Sequence, residues 1–568
     1  MSKLSRRKFS AEFKTQIVLE SLKARCSTEE LGRKYEVHPT QINTWKREFL
    51  GKASQIFGKS DGEGQKPEFD TKKLYAQIGH LKIENDFLKK KLMYVILTVL
   101  TISIISLASC NSKTADHQTD SVFKMAIHYL NTNKPDSFYQ LTDQKFRKQV
   151  PPNLWASIYK KKLSTALPFT GLTFITRNDF VSQYKIDGKI PLNCYIGLDK
   201  QSKIDTFNFA PYQDGIKHAV KEKKALTDNK LITKLDSTVD QAISPYIQTY
   251  GNVGASVSIF YNGKSYYYNY GERKRGSGIL PDQHTLYDIG STTKTFTSTL
   301  LAIAVDQGKV TLETSIIKFL PDSVAENPDL KEITFKDLAN HTSGLPMEPP
   351  NLANTITDVD QPFGNYQIKD MLSFLKHFKQ TIKPGAKFSY SNFGSGLLGV
   401  LLETIYQQPY ADLVRQYITA PLQMNETVCT IDTAKFKNLA QGYGTGSEPL
   451  PFASLIAMSG AGVIKSSTFD LLTYAKTQLF TTDPILEKGV KLTHRTTFND
   501  GSIIIGLGWL YLPQNQNLLQ HSGSTYGYRS FICADLSKQI ALVILTNNNT
   551  PERIAKIGEN LIKAIQAG

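Results

Sequence analysis

The stretch Met93–Cys110, MYVILTVLTISIISLASC, constrains this chain most, because it divides the 568 residues into two parts suited to different surroundings. The sixteen residues Tyr94–Ser109 carry no charge, follow Lys89, Lys90 and Lys91, and end in Leu107-Ala108-Ser109-Cys110. As a helix they would reach roughly 24 Å, short of the ~30 Å hydrocarbon core of a bilayer. A basic run, a short apolar run and small residues before a cysteine fit a bacterial lipoprotein signal better than a membrane anchor, with Cys110 as the lipid attachment residue. Its place in the middle of the chain is unusual for a signal.

At about 100–200 residues per domain, a chain of this length should hold three or four units. The pattern divides it into a helix-turn-helix unit (1–55), a linker (56–70), a short coiled coil (71–92), the signal-like segment (93–110), a small α+β accessory domain (111–230) and a larger α/β domain (231–568). The net charge is +16, and residues 1–92 contribute 20 Lys+Arg against 12 Asp+Glu. Half of the excess thus lies in under a fifth of the chain, which confines a nucleic-acid reading to the first part. The five cysteines, Cys26, Cys110, Cys194, Cys429 and Cys533, are scattered. They form neither a disulfide framework nor a zinc spacing, and no metal or cofactor is expected.

In the first part, Phe13, Ile17, Val18 and Leu22 repeat at helical spacing over 11–23. A second short helix is expected over 30–35, and Pro39 opens a third carrying Ile42, Trp45 and Phe49 inward. That third helix would present Thr40, Gln41, Asn43, Thr44, Lys46 and Arg47 to solvent, a mixture of base-reading and phosphate-pairing side chains. Beyond a linker rich in Gly and charge, Leu74, Ile78, Leu81, Asn85, Leu88 and Leu92 alternate at spacings of four and three. This is a coiled-coil seam with Asn85 at an a position, and it predicts a dimer through 71–92. SRRKFSAEFKTQIVLESL, YEVHPTQINTWKREF and LKIENDFLKKKL together resemble the small DNA-binding product of IS3-type insertion elements. The resemblance implies recognition of DNA ends by residues 1–55 and not strand transfer, which in that family belongs to a second product.

After a polar tail, Val122, Met125, Ala126, Tyr129 and Leu130 predict an amphipathic helix, and Phe138 to Ile158 two more. Strands follow over 172–176, 181–186, 192–198 and 204–209, with Asp187-Gly188 as a turn. Helices followed by a curved antiparallel sheet resemble the NTF2/cystatin-like accessory domains placed before extracytoplasmic hydrolases. No acid, base and nucleophile converge in this stretch, so a spacer or packing role is expected.

Ser291-Thr292-Thr293-Lys294 is an S-x-x-K sequence, a pattern that also occurs at Ser5, Ser157, Ser315 and Ser373. Only Ser291 follows Gly290 and precedes a helical run, Phe296, Leu300, Ile303 and Ala304, that ends at Gly308. The serine then sits at a helix N-terminus with the lysine one turn along the same face, a geometry suited to nucleophilic catalysis. Onward come Leu338-Ala339-Asn340-His341-Thr342-Ser343-Gly344-Leu345-Pro346, Pro384-Gly385, Tyr390-Ser391-Asn392, Pro421-Leu422-Gln423-Met424, Gly508-Trp509 and His521-Ser522-Gly523. In this order they resemble the penicillin-recognising serine hydrolases, specifically the class C β-lactamase-like branch with its D-peptidases and esterases, over roughly 235–550.

That resemblance implies a serine β-lactamase-like α/β fold, an antiparallel sheet flanked by helices with a helical subdomain. It also implies that Ser291 is acylated, that Lys294 and Tyr390 share acid/base work, and that Asn392 orients both. Backbone N–H groups of Ser291 and Ser524 would form the oxyanion hole beside Gly523 and His521. A phenol of ordinary pKa near 10 is a poor base at neutral pH, so Tyr390 is expected to be lowered by the charge of Lys294. The family's Lys-Thr-Gly is His521-Ser522-Gly523 here, and a mostly neutral histidine holds a substrate carboxylate less firmly. Ester or peptide hydrolysis is therefore expected ahead of β-lactam hydrolysis. The reading is an exported, lipid-anchored serine hydrolase with an insertion-element segment fused upstream, the gene junction lying near Met93. The alternative is a transmembrane regulator with a cytoplasmic DNA-binding dimer and an acylation-sensing outer domain.

Overall fold

Proline at a first helical position, threonine caps and strands of β-branched residues set the elements of the chain. The computed structural model describes residues 13–15, 17–18, 28–35, 37–53, 117–177, 181–212, 225–249, 252–444, 448–481, 483–549 and 554–567. The expected linker, coiled coil, signal-like segment and Cys110 lie outside these residues. The chain divides into two units, 1–73 and 74–568.

In the first unit, α1 (Thr28–Tyr35) and α2 (Pro39–Ala53) pack with the helical residues 13–15 and 17–18. Ile17, Val18, Leu31, Val37, Ile42 and Trp45 make its core. Pro39 opens α2, where a missing N–H costs nothing. Gln41 and Asn43 are exposed as expected, but Thr44 and Lys46 are half-buried. The Thr44 hydroxyl turns back to the Thr40 carbonyl at 2.9 Å, a helix-internal bond that competes with any outward contact. The side chain of Arg47 is not among those described.

The second unit begins with α3 (His117–Asn131), α4 (Pro135–Gln140), α5 (Gln144–Gln149) and α6 (Pro152–Ile158). Where two helices were expected after α3, Pro135, the Asp143 cap and Pro152 punctuate the stretch into three. They cover an antiparallel sheet, β1 (Gly171–Arg177), β2 (Ser182–Asp187), β3 (Leu192–Leu198) and β4 (Ile204–Pro211), in that order. Phe138 stacks on Trp155 at 4.4 Å between the layers. The small α+β domain is thus present as helices on one sheet.

The larger domain opens with α7 (Lys234–Gln248), whose Thr233 and Asp236 form a reciprocal capping box. β5 (Gly254–Tyr261) and β6 (Lys264–Gly271) follow, then the two-residue β7 (Tyr287–Asp288) and α8 (Thr293–Asp306). Further along come α9 (Asn392–Tyr406), β8 (Lys465–Ser466), α10 (Thr468–Thr477), β9 (Phe498–Asn499), β10 (Ile504–Ile505), β11 (Leu510–Leu512), β12 (Asn515–Ser524), β13 (Arg529–Asp535), β14 (Ile540–Thr546) and α11 (Ile554–Gln566). The main sheet has the order β9-β10-β11-β12-β13-β14-β5-β6, antiparallel throughout. Alternate residues of β14 serve its two faces. Leu542 and Ile544 meet α7 and α11, while Val543 and Leu545 join the cluster around α8. β10 and β11 are separate strands: Gly508 between them takes φ +72°, and a side chain there would strike Ser298 Oγ at 2.6 Å.

α8 is buried from Thr293 to Ala304 on every side. Its threonines are satisfied within the core: Thr297 Oγ1 reaches the Gly460 carbonyl at 2.8 Å, and Thr299 Oγ1 the Tyr474 hydroxyl at 3.1 Å. Each fully buried Leu or Phe on such a helix contributes about 1.5–3 kcal/mol, so α8 is the fixed post on which the site is built.

Candidate active site

The nucleophile turn is held at both of its ends by Ser530 of the main sheet. Gly290–Thr292 makes one 3₁₀ turn leading into α8. Thr292 Oγ1 pairs with Ser530 Oγ of β13 at 2.8 Å, and Ser530 Oγ donates to the Ile289 carbonyl at 2.7 Å. Ser291 is thereby fixed at a helix start whose first N–H groups have no partners inside the helix.

Lys294 is 2% exposed. Its Nζ lies 3.0 Å from Ser291 Oγ, 2.7 Å from Asn392 Oδ1 and 2.7 Å from the Ala461 carbonyl. Burial holds its pKa well below the usual lysine value. A neutral amine has two N–H groups and one lone pair. The two carbonyl oxygens can only accept, so they take the N–H groups and leave the lone pair for the Ser291 hydroxyl.

Tyr390 lies under this amine, its ring centroid 5.1 Å from Nζ. The expectation that Lys294 lowers the phenol is overturned. Desolvation raises Tyr390 above 10, a hydrogen bond with Ser291 opposes the rise, and the nearby Glu348 adds to it. Burial disfavours charge on the amine and on the phenol alike, so the nearness of Lys294 does not bring Tyr390 below its ordinary value.

Tyr390 and Asn392 flank Ser391, the N-cap of α9, whose Oγ accepts from Gly394 N at 2.8 Å and donates to the Pro346 carbonyl at 2.6 Å. The next N–H groups of α9, those of Asn392 and Phe393, donate to the Met347 carbonyl at 2.9 and 3.1 Å. Segment 341–348 is thus wrapped onto the helix start and brings in two residues that sequence reasoning gave no role. His341, held at φ +63°, accepts the Ser391 N–H on Nδ1 at 3.2 Å and lies 4.3 Å from the Tyr390 ring. Burial pushes its pKa well below the ordinary imidazole value. Glu348 accepts a short hydrogen bond from Asn392 Nδ2. The spacing of apolar residues flags neither; only their place in the segment before Tyr390 could have.

Opposite lies the end of β12. A Cβ added to Gly523 would fall 1.9 Å from the Ile289 carbonyl and 2.9 Å from Ser291 N, and one added to Gly290 would fall 2.7 Å from Ser524 N. Two glycines therefore let the Ser291 and Ser524 backbones abut, the approach an oxyanion pair requires. Buried Asp288 stitches the two arms: its Oδ2 accepts from Thr525 Oγ1 at 3.2 Å and Ala453 N at 2.8 Å, with Lys465 Nζ 3.8 Å from Oδ1. Desolvation raises Asp288 to about 6, against the pull of Lys465. His521 is buried and pushed down to about 3, chiefly by desolvation. Its Nδ1 donates to the Ser522 carbonyl at 2.9 Å. It is a neutral ring, as the sequence led one to expect, and more firmly so.

The accessory domain meets this larger domain near the cleft. Lys161 pairs with Asp358 at 2.6 Å and Lys162 with Asp360 at 2.7 Å, and a small cavity there is lined by Lys162, Asp360, Glu448, Tyr526 and Asn549.

Among known proteins, the β-lactamase of Pseudomonas fluorescens is 27% identical over 354 residues, covering 56% of this chain and 95% of its own length. The β-lactamase of Escherichia coli (strain K12) is 25% identical, covering 56% of this chain and 90% of its own. A solved class C β-lactamase superposes with a TM-score of 0.53 at 25% identity, covering 59% of this chain and 96% of its own. A family model for transposases matches residues 4–85. The beta-lactamase family model matches 239–567, more than half of the 568 residues. It embraces the turn of Ser291, the cap of α9 and the facing end of β12, so the chain belongs to the β-lactamase family and is a serine hydrolase of that family joined to a transposase-like helix-turn-helix segment.

Proposed function

We propose that the chain works through an acyl-enzyme on Ser291, with ester or peptide acyl compounds as substrates and β-lactams as poorer ones. The observation that carries this is the partner set of Lys294: two acceptors for its N–H groups and a hydroxyl for its lone pair. As Ser291 Oγ bonds to the substrate carbonyl carbon, its proton passes to Lys294. The carbonyl oxygen becomes an anion facing the N–H groups of Ser291 and Ser524, each worth about 2.7–4 kcal/mol to the transition state. Collapse breaks the bond to the leaving group, which takes a proton from the Tyr390 phenol, and Tyr390 is refilled from Lys294. Water then attacks the acyl-enzyme by the same route in reverse, giving up its proton to the dyad and releasing the acid. Asn392 orients Lys294 throughout. With His521 neutral, its ring does not supply the charge of the lysine that would grip a substrate carboxylate, which is why β-lactams rank lower.

The same reading makes the hydrolase an exported protein held at a membrane through lipidated Cys110. Residues 111–230 act as an NTF2/cystatin-like spacer, and 1–55 bind DNA through Gln41, Asn43, Thr44, Lys46 and Arg47, dimerised by 71–92. Support for the DNA part is the basic excess upstream of Met93 and the exposure of Gln41 and Asn43. The test is intact-mass labelling with an acylating probe. Wild type gains one acyl group and turns over an ester, and Ser291→Ala does neither; normal labelling of that variant would sink the reading. The intact mass of membrane-extracted protein tests the anchor, through a species starting at lipidated Cys110.

A further inference from the structure

Glu348 is only 7% exposed, and among the described residues no cation pairs with it. Its Oε1 accepts from Asn392 Nδ2, while Oε2 is buried without a partner. The Asn392 amide cannot be reversed to serve it, since Oδ1 must face the N–H of Lys294. Close enough to act on Glu348 electrostatically is Tyr526, two residues past Ser524, whose hydroxyl is also buried and unpartnered. Both orphaned oxygens stand beside the catalytic groups, because the Met347 carbonyl caps α9 and delivers Glu348 to the far side of Asn392 from Lys294.

Unpartnered buried oxygen is costly, at about 1–3 kcal/mol or more for a charged group. A carboxyl that merely positioned Asn392 would need one oxygen, and glutamine would serve as well. Here Glu348 Oε2 and the Tyr526 hydroxyl are both left without a partner, so this side of Asn392 keeps acceptor capacity that its own side chains do not use.

Resting on the acyl-enzyme reading, we propose that Glu348 is a specificity-determining residue: its free oxygen, assisted by the Tyr526 hydroxyl, receives a positively charged amine carried next to the scissile carbonyl, so that the preferred acyl group is an aminoacyl group. Burial disfavours the charged form of Glu348 and holds its carboxyl well above the usual carboxylate range. An arriving ammonium supplies the missing countercharge, the carboxyl gives its proton to water, and the pair forms in a site that excludes solvent.

The experiment compares full-length protein acting on alanine p-nitrobenzyl ester, in both enantiomers, with the propionic ester that lacks only the amine. Rates are corrected for spontaneous hydrolysis of each ester. The expected result is a preference in kcat/KM of about tenfold or more for the amine-bearing ester of one enantiomer, and a collapse of that ratio by about tenfold in Glu348→Gln, which keeps the bond to Asn392. A wild-type ratio at or below one overturns the proposal without any variant being needed. So does a Glu348→Gln protein in which both esters fall together, the mark of a positioning role only. Ser291-dependent turnover without amine preference defeats this inference alone, whereas absence of Ser291 labelling defeats the hydrolase reading and the inference with it.

Discussion

Lys294 Nζ lies 2.7 Å from Asn392 Oδ1, and because a carbonyl oxygen only accepts, that contact consumes an N–H in either charge state of the amine. Asn392 therefore aims the remaining lone pair. Replacing it by alanine frees the amine to rotate and should lower kcat for ester hydrolysis about 100-fold. Asn392→Asp should act differently. A carboxylate at this distance favours protonated Lys294, so the acid limb of kcat/KM should move to higher pH, which a pH–rate profile of the two variants will separate.

Base catalysis requires an amine that can lose its proton at neutral pH, and burial gives Lys294 this property. Arginine stays charged at any accessible pH. Lys294→Arg should slow acylation by about 10³-fold or more even though a cation remains; burst kinetics with an acylating ester measure it. Near-normal acylation would mean that charge, not proton transfer, is what position 294 supplies.

Gly523 and Gly276 offer a matched pair for the oxyanion pocket. At Gly523 an added methyl meets the Ile289 carbonyl at 1.9 Å, whereas at Gly276, φ +75°, nothing lies within 4 Å. Gly523→Ala must wedge β12 away from the nucleophile turn, costing about 1–3 kcal/mol of stability and about 100-fold or more in kcat through the displaced donor. Gly276→Ala carries only left-handed strain of about 1–2 kcal/mol. It should lower Tm while kcat stays within about twofold of wild type.

The parts of the site legible in the sequence are those fixed by local spacing. Lys294 in the first turn of α8 comes back beside Ser291 because three residues make nearly one turn, and Tyr390 and Asn392 flank a capping serine. What escaped depends on contacts between distant segments. Glu348 reaches Asn392 only because the Met347 carbonyl caps α9, and no periodicity encodes that. The direction of Tyr390 was misjudged because charge was assigned to Lys294 from its type, whereas desolvation disfavours charge on both groups. The resemblance implied an antiparallel sheet flanked by helices, but the break at Gly508 needed knowledge of Ser298 on α8 behind it.

His521 decides how acidification affects anionic substrates. An ordinary imidazole, with pKa near 6.5, would be mostly neutral at pH 7 and mostly cationic at pH 5, so binding of a carboxylate-bearing substrate would tighten as pH falls. In this site the ring is pushed down to about 3, chiefly by desolvation. It gains no charge over that interval, and the KM of a carboxylate-bearing ester, divided by that of its neutral amide analogue, should stay flat from pH 7 to 5. The division removes effects on the catalytic groups, which both substrates share. A ratio that falls about threefold or more on acidification would place a titrating cation at the carboxylate site, and His521→Gln would then show whether this ring is its source.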